Sequence, residues 1–331
     1  MTGIRSSLVG RYEKKFCEPA DTLPYVQVGD ALGCNFTPNN NWQKFNSIGT
    51  KFRTGSSAGR FTGTFSINTI LDYANLWILA MGLEKYTFDS GIHTFEKKDG
   101  MRPRSAEFRQ KILNKMVDGD EDITRIYQGC VAKSISFSQD AQSGSTLAVT
   151  INGDYAWQYD VWGDLDATDW EPYDADKIEW NCLEVPTGHK IANVESVSFG
   201  ITNNTELQYN TCSRKASGYF EKAVTFQAGA SIYANTTEWI SRLYSGGVDN
   251  TATEPWKKNL KPIPYMAIVS DSDDPLANYC KVLMEKVSVE SMALEAKANT
   301  KMVDKPTLSP RKFSMEIKSG IGDLTSQLYP M

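Results

Sequence analysis

One sequence pattern occurs twice in this chain, and each time it joins a strand-like segment to a helix-like segment. The first copy, GRFTGTFSINTILDYANLWILAMG, runs from Gly59 to Gly82, and the second, AVTFQAGASIYANTTEWISRLYSG, runs from Ala223 to Gly246. The shared positions keep their order, with offsets between 160 and 164: Thr64-Phe65 with Thr225-Phe226, Tyr73-Ala74-Asn75 with Tyr233-Ala234-Asn235, Trp77 with Trp239, and Gly82 with Gly246. A repeat at one long period indicates a duplicated structural unit.

The segments outside this pattern alternate apolar and polar residues, which is typical of half-buried strands. Three sets of alternating apolar residues correspond between the halves: Leu32, Cys34 and Phe36 with Val197, Phe199 and Ile201 at an offset of 165; Ile135 and Phe137 with Val287 and Val289; Leu147, Val149 and Ile151 with Phe313, Met315 and Ile317 at an offset of 166. In the first half, the last two sets predict a hairpin that turns at residues 139–145.

Each half contains one segment with helical periodicity. In the first half, one apolar stripe consists of Ile70, Tyr73, Ala74, Trp77, Ala80 and Met81. Thr69 and Asp72 predict the start of this helix, and Gly82 predicts a left-handed residue at its end. Trp239 and Leu243 mark the second helix. The fold class is therefore predicted to be mainly β, with two tandem β-sandwich or β-barrel domains that each carry one flanking α-helix.

Shifts in composition give the predicted domain boundaries. Residues 1–25 carry mixed charge and two prolines, and we expect them to form an N-terminal arm outside the core. The first domain is predicted at 26–155 and the second at 190–331. Residues 156–189 form a predicted linker, because this acidic, Trp-rich stretch belongs to a longer segment, 134–176, that contains no Lys or Arg.

A long connection is also expected in the first half, and an enlarged hairpin loop in the second. Residues 83–127 contain a cluster of basic side chains, and residues 295–310 are rich in Lys and Pro. A basic connection of this kind is either a solvated surface or a docking surface for an acidic region of another copy.

Composition argues against several classes of function. The 331-residue chain has a formal charge of -5, whereas a general nucleic-acid binder needs a basic surface. The first residues contain no apolar segment of a signal peptide, so synthesis and folding in the cytosol are expected. The six cysteines contain no C-x-x-C pair and are expected to be reduced. His93 and His189 have no metal-ligand spacing, and no nucleotide-binding loop or nucleophile elbow is present, so we predict no enzyme, cofactor or metal.

Two stretches resemble a known protein family. They are the glycine-rich strand leading into LWILAMG within Gly59 to Gly82, and YQGCV at Tyr127–Val131 followed by SISFSQDAQSGSTLAVTINGDY. Both are similar to tail tube proteins, also called major tail proteins, of long-tailed phages and head-tailed archaeal viruses. The likeness covers residues 25–155 well and 190–320 more faintly. In that family, six β-sandwich or barrel domains with flanking helices close into a ring, and stacked rings form the tube.

This resemblance implies a virion structural protein with two tube domains per chain. Three chains would then form a pseudo-hexameric ring, and the protein would assemble in the host cytoplasm into the viral tail. The implied partners are other copies of itself, the tape measure protein, the tail terminator and the distal tail protein. Viral DNA would pass through the lumen without specific binding, and no membrane insertion is expected.

Two sets of residues are candidates for this role. The channel wall should be neutral or acidic, because a wall that neutralised phosphates would retain DNA. The predicted channel-lining residues are Ser134, Ser136, Ser138, Thr150, Asn152, Glu290 and Glu316. Stacking of one ring on the next is predicted for the long loops at 42–60, 83–127 and 295–310, and the residues predicted to make it are Lys97, Lys98, Arg102, Arg104, Lys297, Lys301 and Lys305. For each channel-lining residue, an ordinary solvent-facing sheet surface is the alternative interpretation.

Two other functions fit the same sequence. The eight Trp, fifteen Tyr and Asn/Thr-rich loops are also found in surface or secreted carbohydrate-binding β-sandwich modules. A distal-tail or baseplate ring protein would share the tube fold without forming a long tube.

Overall fold

The computed structural model describes residues 6–19, 23–29, 31–45, 55–73, 75–98, 101–112, 123–140, 146–162, 178, 182–184, 190–191, 194–233, 263–270, 278–295 and 303–328. The prediction of a mainly β protein is confirmed, because the described residues form strands that pair antiparallel into large sheets. The strands are β1 (Ser6–Lys15), β2 (Glu18–Pro19), β3 (Val26–Gln27), β4 (Ala31–Asn39), β5 (Gln43–Phe45), β6 (Gly55–Ser57), β7 (Thr62–Ile70), β8 (Lys85–Asp89), β9 (Ile92–Glu96), β10 (Ala106–Ile112), β11 (Ile123–Asp140), β12 (Ala148–Tyr155), β13 (Trp157–Trp162), β14 (Cys182–Glu184), β15 (Lys190–Ile191), β16 (Val194–Thr202), β17 (Thr205–Tyr209), β18 (Ala216–Glu221), β19 (Thr225–Tyr233), β20 (Ile263–Ser270), β21 (Tyr279–Glu295), β22 (Val303–Ser309) and β23 (Lys312–Lys318). A 3₁₀ helix, Leu76–Met81, and a short α-helix, Thr325–Leu328, complete the described elements.

The first half contains two groups of paired strands that share one long strand. One group, which we call the first cover sheet, has the order β3-β1-β10-β11-β13. The other has the order β4-β7-β12-β11. Aromatic side chains pack between the two groups. Phe36 stacks on Tyr127 with ring centroids 3.7 Å apart, and the ring centroids of Phe65 and Phe108 are 5.9 Å apart. The two groups therefore enclose one core.

The second half repeats this order of strands. Its cover sheet has the order β15-β14-β20-β21-β23, and the hairpin β8–β9 from the first half extends it at β23. Its other group has the order β16-β19-β22-β21. Apart from the added hairpin β8–β9, each strand named in this arrangement thus has a counterpart at the same place in the other half.

Irregular backbone positions fix the exact correspondence between the halves. The bulge at Leu32 in β4 recurs at Glu195 in β16, and the left-handed backbone conformation of Asn41 recurs at Asn204. In both cases the residue number in the second half is 163 higher than in the first. Asn41 Nδ2 donates to Arg60 O at 2.8 Å, and Asn204 Nδ2 donates to Ala223 O at 2.6 Å. Residues 31–70 therefore correspond to 194–233 without insertion or deletion.

The long strands β11 and β21 correspond in the same way. Gly129 and Lys286 both have a positive φ, +65° and +49°, where the strand leaves its cover sheet. The bulges at Lys133 and Glu290 follow four residues later in each strand. Gly129 therefore corresponds to Lys286, and residues 123–138 of β11 correspond to residues 280–295 of β21, numbered 157 higher.

Several sequence matches between the halves are corrected by this alignment. Phe65 corresponds to Ala228 and not to Phe226, and Phe36 corresponds to Phe199 and not to Ile201. The strand that occupies the place of β12 is β22, whereas Phe313 lies in β23, the counterpart of β13. A shift by two residues keeps every side chain on its face, so alternation alone does not detect it.

The two halves join through one pair of strands. The end of β11 pairs with β16, from Ser134 opposite Thr202 to Asp140 opposite Ser196. The result is an eight-stranded sheet with the order β4-β7-β12-β11-β16-β19-β22-β21. One apolar cluster of buried residues extends through both halves.

The helix prediction in the first half is only partly correct. Strand β7 continues to Ile70, and the helix is a 3₁₀ helix that begins at Leu76. Asp72 and Asn75 bond reciprocally, with each side-chain oxygen accepting the other residue's backbone N–H, which holds the chain in a turn before the helix. Gly82 has a φ of -126°, so the predicted left-handed end is wrong. The second predicted helix, at Trp239 and Leu243, lies outside the described residues.

Four segments that were expected to be arms, linkers or connections contain strands. Residues 1–25 include β1, which lies in the core with Val9 and Tyr12 buried. Residues 83–127 include β8, β9, β10 and the start of β11, residues 156–189 include β13, β14 and residue 178, which is buried, and residues 295–310 include β22. The charged side chains in these segments made the strands resemble solvated surface in the sequence. Several of those side chains are in fact buried with partners.

We predict opposite effects on stability for substitutions at Gly129 and Lys286, the two corresponding positions with positive φ, which we call the first and second corners. A Cβ at Gly129 would lie 2.6 Å from Cys17 Sγ and 2.8 Å from Ala156 Cβ. Gly129→Ala should therefore lower the free energy of unfolding by about 2 kcal/mol or more. Lys286→Gly should raise it by up to about 1 kcal/mol, because glycine tolerates a positive φ. Denaturant titration measures both, and a stable Gly129→Ala protein would contradict the assignment of strain to this corner.

We also predict a pH-dependent contribution from Glu13, which is 6% exposed beside the first corner. Its Oε1 accepts from Gly129 N and its Oε2 from Cys17 N, both at 2.8 Å, and burial raises its pKa to about 7. Between pH 4.5 and 7 the Glu13 carboxyl is protonated in the folded state and ionised in the unfolded state. The stability that Glu13 gains from this proton is therefore complete below pH 4.5 and is lost as the pH rises through 7. The stability difference between wild type and Glu13→Gln should fall by about 3 kcal/mol across that window in denaturant titrations. A constant difference would contradict the prediction.

Candidate functional site: the polar face of the eight-stranded sheet

One face of the eight-stranded sheet carries rows of small polar side chains. Ser136 on β11 lies opposite Thr150 on β12 and Gly200 on β16. The same row continues to Asn68 on β7 and to Gln227 on β19. A row of directly opposed residues therefore crosses from the first half into the second without interruption.

Two neighbouring rows have the same character. In strand order, the three rows consist of Gly33, Asn68, Thr150, Ser136, Gly200 and Gln227; Asn35, Ser66, Asn152, Ser134, Thr202 and Thr225; and Ile70, Ala148, Ser138, Ser198, Gly229, Thr307 and Ser291. We call this surface the polar face. Every side chain in these three rows is uncharged.

Strict alternation places these residues outside, because their neighbours along each strand are buried. Ile135 and Phe137 on β11 and Val149 on β12 are each 1% exposed. Phe137 stacks on Phe199 across the junction of the halves, with ring centroids 4.6 Å apart. The apolar side of the sheet therefore fixes the direction of the polar side.

The polar face is concave. Two adjoining hollows of about 710 and 560 Å³ open on it, and both are lined by Ser138, Ser198, Gly229 and Thr307. The hollows cross the junction of the two halves, because their shared lining comes from β11, β16, β19 and β22.

Charged side chains lie beside the three rows and not within them. Lys133 Nζ lies 2.7 Å from Asp154 Oδ2, so these two charges form an ion pair at one margin. Asp140 and Lys305 both line the larger hollow at the other margin. The three rows therefore present hydroxyl and amide groups, glycines and two apolar side chains, Ala148 and Ile70, but no charge.

The structure brings most of the predicted channel-lining residues together. Ser134, Ser136, Ser138, Thr150 and Asn152 are neighbours at the centre of the polar face. The two glutamates lie elsewhere. Glu290 is the exposed bulge residue on β21, at the edge of the same sheet, and Glu316 lies on β23 in the second cover sheet, away from the polar face.

Sequence reasoning missed the contribution of the neighbouring strands. Asn35, Ser66 and Asn68 on β4 and β7, and Thr202 and Gln227 on β16 and β19, continue the face on both sides. Their strands show the same alternation, so the signal was present. The order in which the strands pair is what placed these residues in one surface.

The residues predicted to stack rings fall into three groups. Lys97 and Arg104 bind groups of their own chain: Lys97 pairs with Glu84 and Glu221, and Arg104 donates to Leu328 O. Lys98, Arg102 and Lys305 are exposed. Lys297 and Lys301 lie outside the described residues.

The buried ion pairs of Lys97 connect the two halves. Glu84 precedes β8 in the first half, and Glu221 ends β18 in the second. The Lys97 side chain is 9% exposed and that of Glu84 is 0% exposed. Burial raises the pKa of the Glu84 carboxyl, and the hydrogen bond from Lys97 opposes this shift.

Other buried polar groups have structural partners. His93 lies between the Tyr86 hydroxyl, 2.9 Å from Nδ1, and Ser319 Oγ, 3.0 Å from Nε2. Burial lowers the pKa of His93, which favours the neutral ring. Within the described residues, no group of three or more His, Cys, Asp or Glu side chains is arranged to hold a metal ion.

Neither the protein-family models nor the curated proteins include a match to this chain. In the part of the chain that the structure describes, no helix has the length and apolar character needed to span a membrane.

We predict that Lys97 contributes strongly to stability although its neighbour does not. Lys97→Met should lower the free energy of unfolding by about 3–5 kcal/mol, because it leaves two carboxylates without their buried partner. Lys98→Met is the matched control and should change it by less than about 0.5 kcal/mol, since Lys98 is exposed. Denaturant titration of both variants tests this, and equal effects would contradict it.

Proposed function

We propose that this chain is the tail tube protein of a long-tailed virus, in which three copies close into a ring and stacked rings conduct DNA. The chain would consist of two tandem tail-tube-like domains, of which the two repeated sets of strands are the cores. The observation that carries the proposal is the uncharged, concave polar face on a sheet made of two equivalent halves.

The polar face has the chemistry that a DNA conduit requires. A basic wall would release counterions from the phosphates and hold the DNA, with an affinity that rises with each neutralised phosphate. Hydroxyl and amide groups can hydrogen-bond to water along the wall without adding such charge. Ser134, Ser136, Ser138, Thr150 and Asn152 are therefore proposed to line the lumen, together with their neighbours in the three rows.

The number of strands suits a wide channel. Three copies would supply twenty-four strands, which at a spacing of about 4.8 Å and a tilt of about 40° form a cylinder roughly 48 Å across between opposite backbones. A head-to-tail contact that repeats with a fixed rotation closes into such a ring. The exposed Lys98 and Arg102 remain candidates for contacts between rings or with the tape measure, terminator and distal tail proteins. Lys305 lines the larger hollow at the margin of the polar face and would face the lumen.

Electron microscopy of the purified protein at rising concentration tests this function. We expect hollow rings and tubes built from three chains per ring. Rings of six chains or a persistent monomer would contradict the proposal, and single rings that never stack would favour a distal-tail or baseplate component.

We further predict that one added charge per chain converts the lumen into a DNA-binding surface. Assembled tubes of Ser136→Lys should retain duplex DNA in co-sedimentation, and the retention should weaken as salt is raised. Wild-type tubes should retain less DNA, and so should tubes of the control Thr87→Lys, which changes an exposed position on β8 in the second cover sheet. Equal retention by all three would show that Ser136 does not face the lumen.

A further inference from the structure

The eight-stranded sheet ends in two open edges. Within the described residues, no strand pairs with the outer edge of β4, and none pairs with the outer edge of β21 beyond Ser288. Their counterparts in the repeat are β16 and β11, which pair with each other in the middle of the sheet. The chain thus contains one complete copy of a junction and the two separate halves of a second.

We propose that β4 of one copy pairs with β21 of the next copy in the same register as the internal junction of β11 and β16. This inference rests on the proposed ring and specifies its interface. Ser136 faces Gly200 internally, and the correspondence between the halves converts this pair into Ala293 facing Thr37 of the neighbouring copy. Both Ala293 and Thr37 are exposed in the single chain.

A hairpin accompanies the internal junction. The β17–β18 hairpin of the second half lies across the first half, where the Tyr209 hydroxyl donates to Phe61 O and Arg214 Nε donates to Gly59 O, both at 2.8 Å. Glu221, at its end, pairs with Lys97 of the first half. The β17–β18 hairpin therefore stabilises the junction of β11 with β16 through contacts outside the strand pair itself.

The β5–β6 hairpin is the counterpart of this hairpin and has the same register. Gln43 pairs with Ser57, and Glu206 pairs with Phe220, positions that differ by 163 on both strands. The β5–β6 hairpin of one copy is therefore placed to lie across the second half of the next copy.

Trp42 at the base of the β5–β6 hairpin supports this interface. Its counterpart, Thr205, is 5% exposed and donates from Oγ1 to Ala132 O on β11 at 3.2 Å. Trp42 is 57% exposed in the single chain. In the proposed junction it covers the neighbour's β21 near Val289, the counterpart of Ala132, which removes an exposed indole from water.

Disulfide trapping tests the register. In a background with Cys34→Ser and Cys212→Ser, the variant Thr37→Cys/Ala293→Cys should oxidise to a covalent trimer on a non-reducing gel, because directly opposed strand residues lie within disulfide reach. The control Thr37→Cys/Glu290→Cys places the second cysteine three residues away, about 10 Å along the strand, and should give little trimer.

The outcomes separate this inference from the proposed function. Rings of three chains without the Thr37–Ala293 cross-link, or with a stronger cross-link in the control, would overturn the register and leave the ring in place. Absence of both rings and cross-linked oligomers would overturn both proposals.

A second test uses the exposed tryptophans. Trp42→Ala should raise the protein concentration needed for ring formation by about tenfold or more, since it removes a large buried contact. Trp162 on β13 is the matched control: it is 69% exposed, lies away from both open edges, and Trp162→Ala should change that concentration less than twofold. Equal effects, or none from Trp42→Ala, would overturn the role of the hairpin.

Discussion

Each half of the molecule depends on one long strand that belongs to two sheets. β11 and β21 begin in a cover sheet, turn at a residue with positive φ, and end in the eight-stranded sheet. At the first turn, Gly129 accommodates the backbone and the buried Glu13 accepts its N–H. Because a single strand connects the two layers, the direction of this turn sets how the layers face each other and encloses the aromatic core between them.

The repeat of this unit has a consequence for the edges. The second half satisfies one open edge of the first by pairing β16 with β11, whereas β4 and the end of β21 each keep one edge that no other described strand pairs with. Open edges carry unpaired N–H and C=O groups and favour pairing with another chain. Under the proposed pairing of β4 with β21, each copy would offer both halves of a contact that the chain already makes internally, which is the condition for a head-to-tail ring.

The faces of the strands were predictable from the sequence, and their order was not. Alternation correctly placed Ser136 and Thr150 outside and Phe137 and Val149 inside, because the period of two leaves no other arrangement once one face is apolar. The same periodicity allowed matches between the halves that are displaced by two residues. The core strand β1 was missed, because the charges of Arg11 and Glu13 resembled a solvated arm although both side chains are buried.

The sequence by itself determined a mainly β chain, two related halves and a small polar side on the central strands of the first half, since these properties depend on neighbours along the chain. Only the tertiary structure decided that these strands form one continuous sheet and that its polar face is concave. It also decided that Lys97 forms buried ion pairs with Glu84 and Glu221 of its own chain. Strand pairing and burial of charge join residues that are far apart in sequence, and the local pattern contains no record of which distant partner each strand or charge will meet.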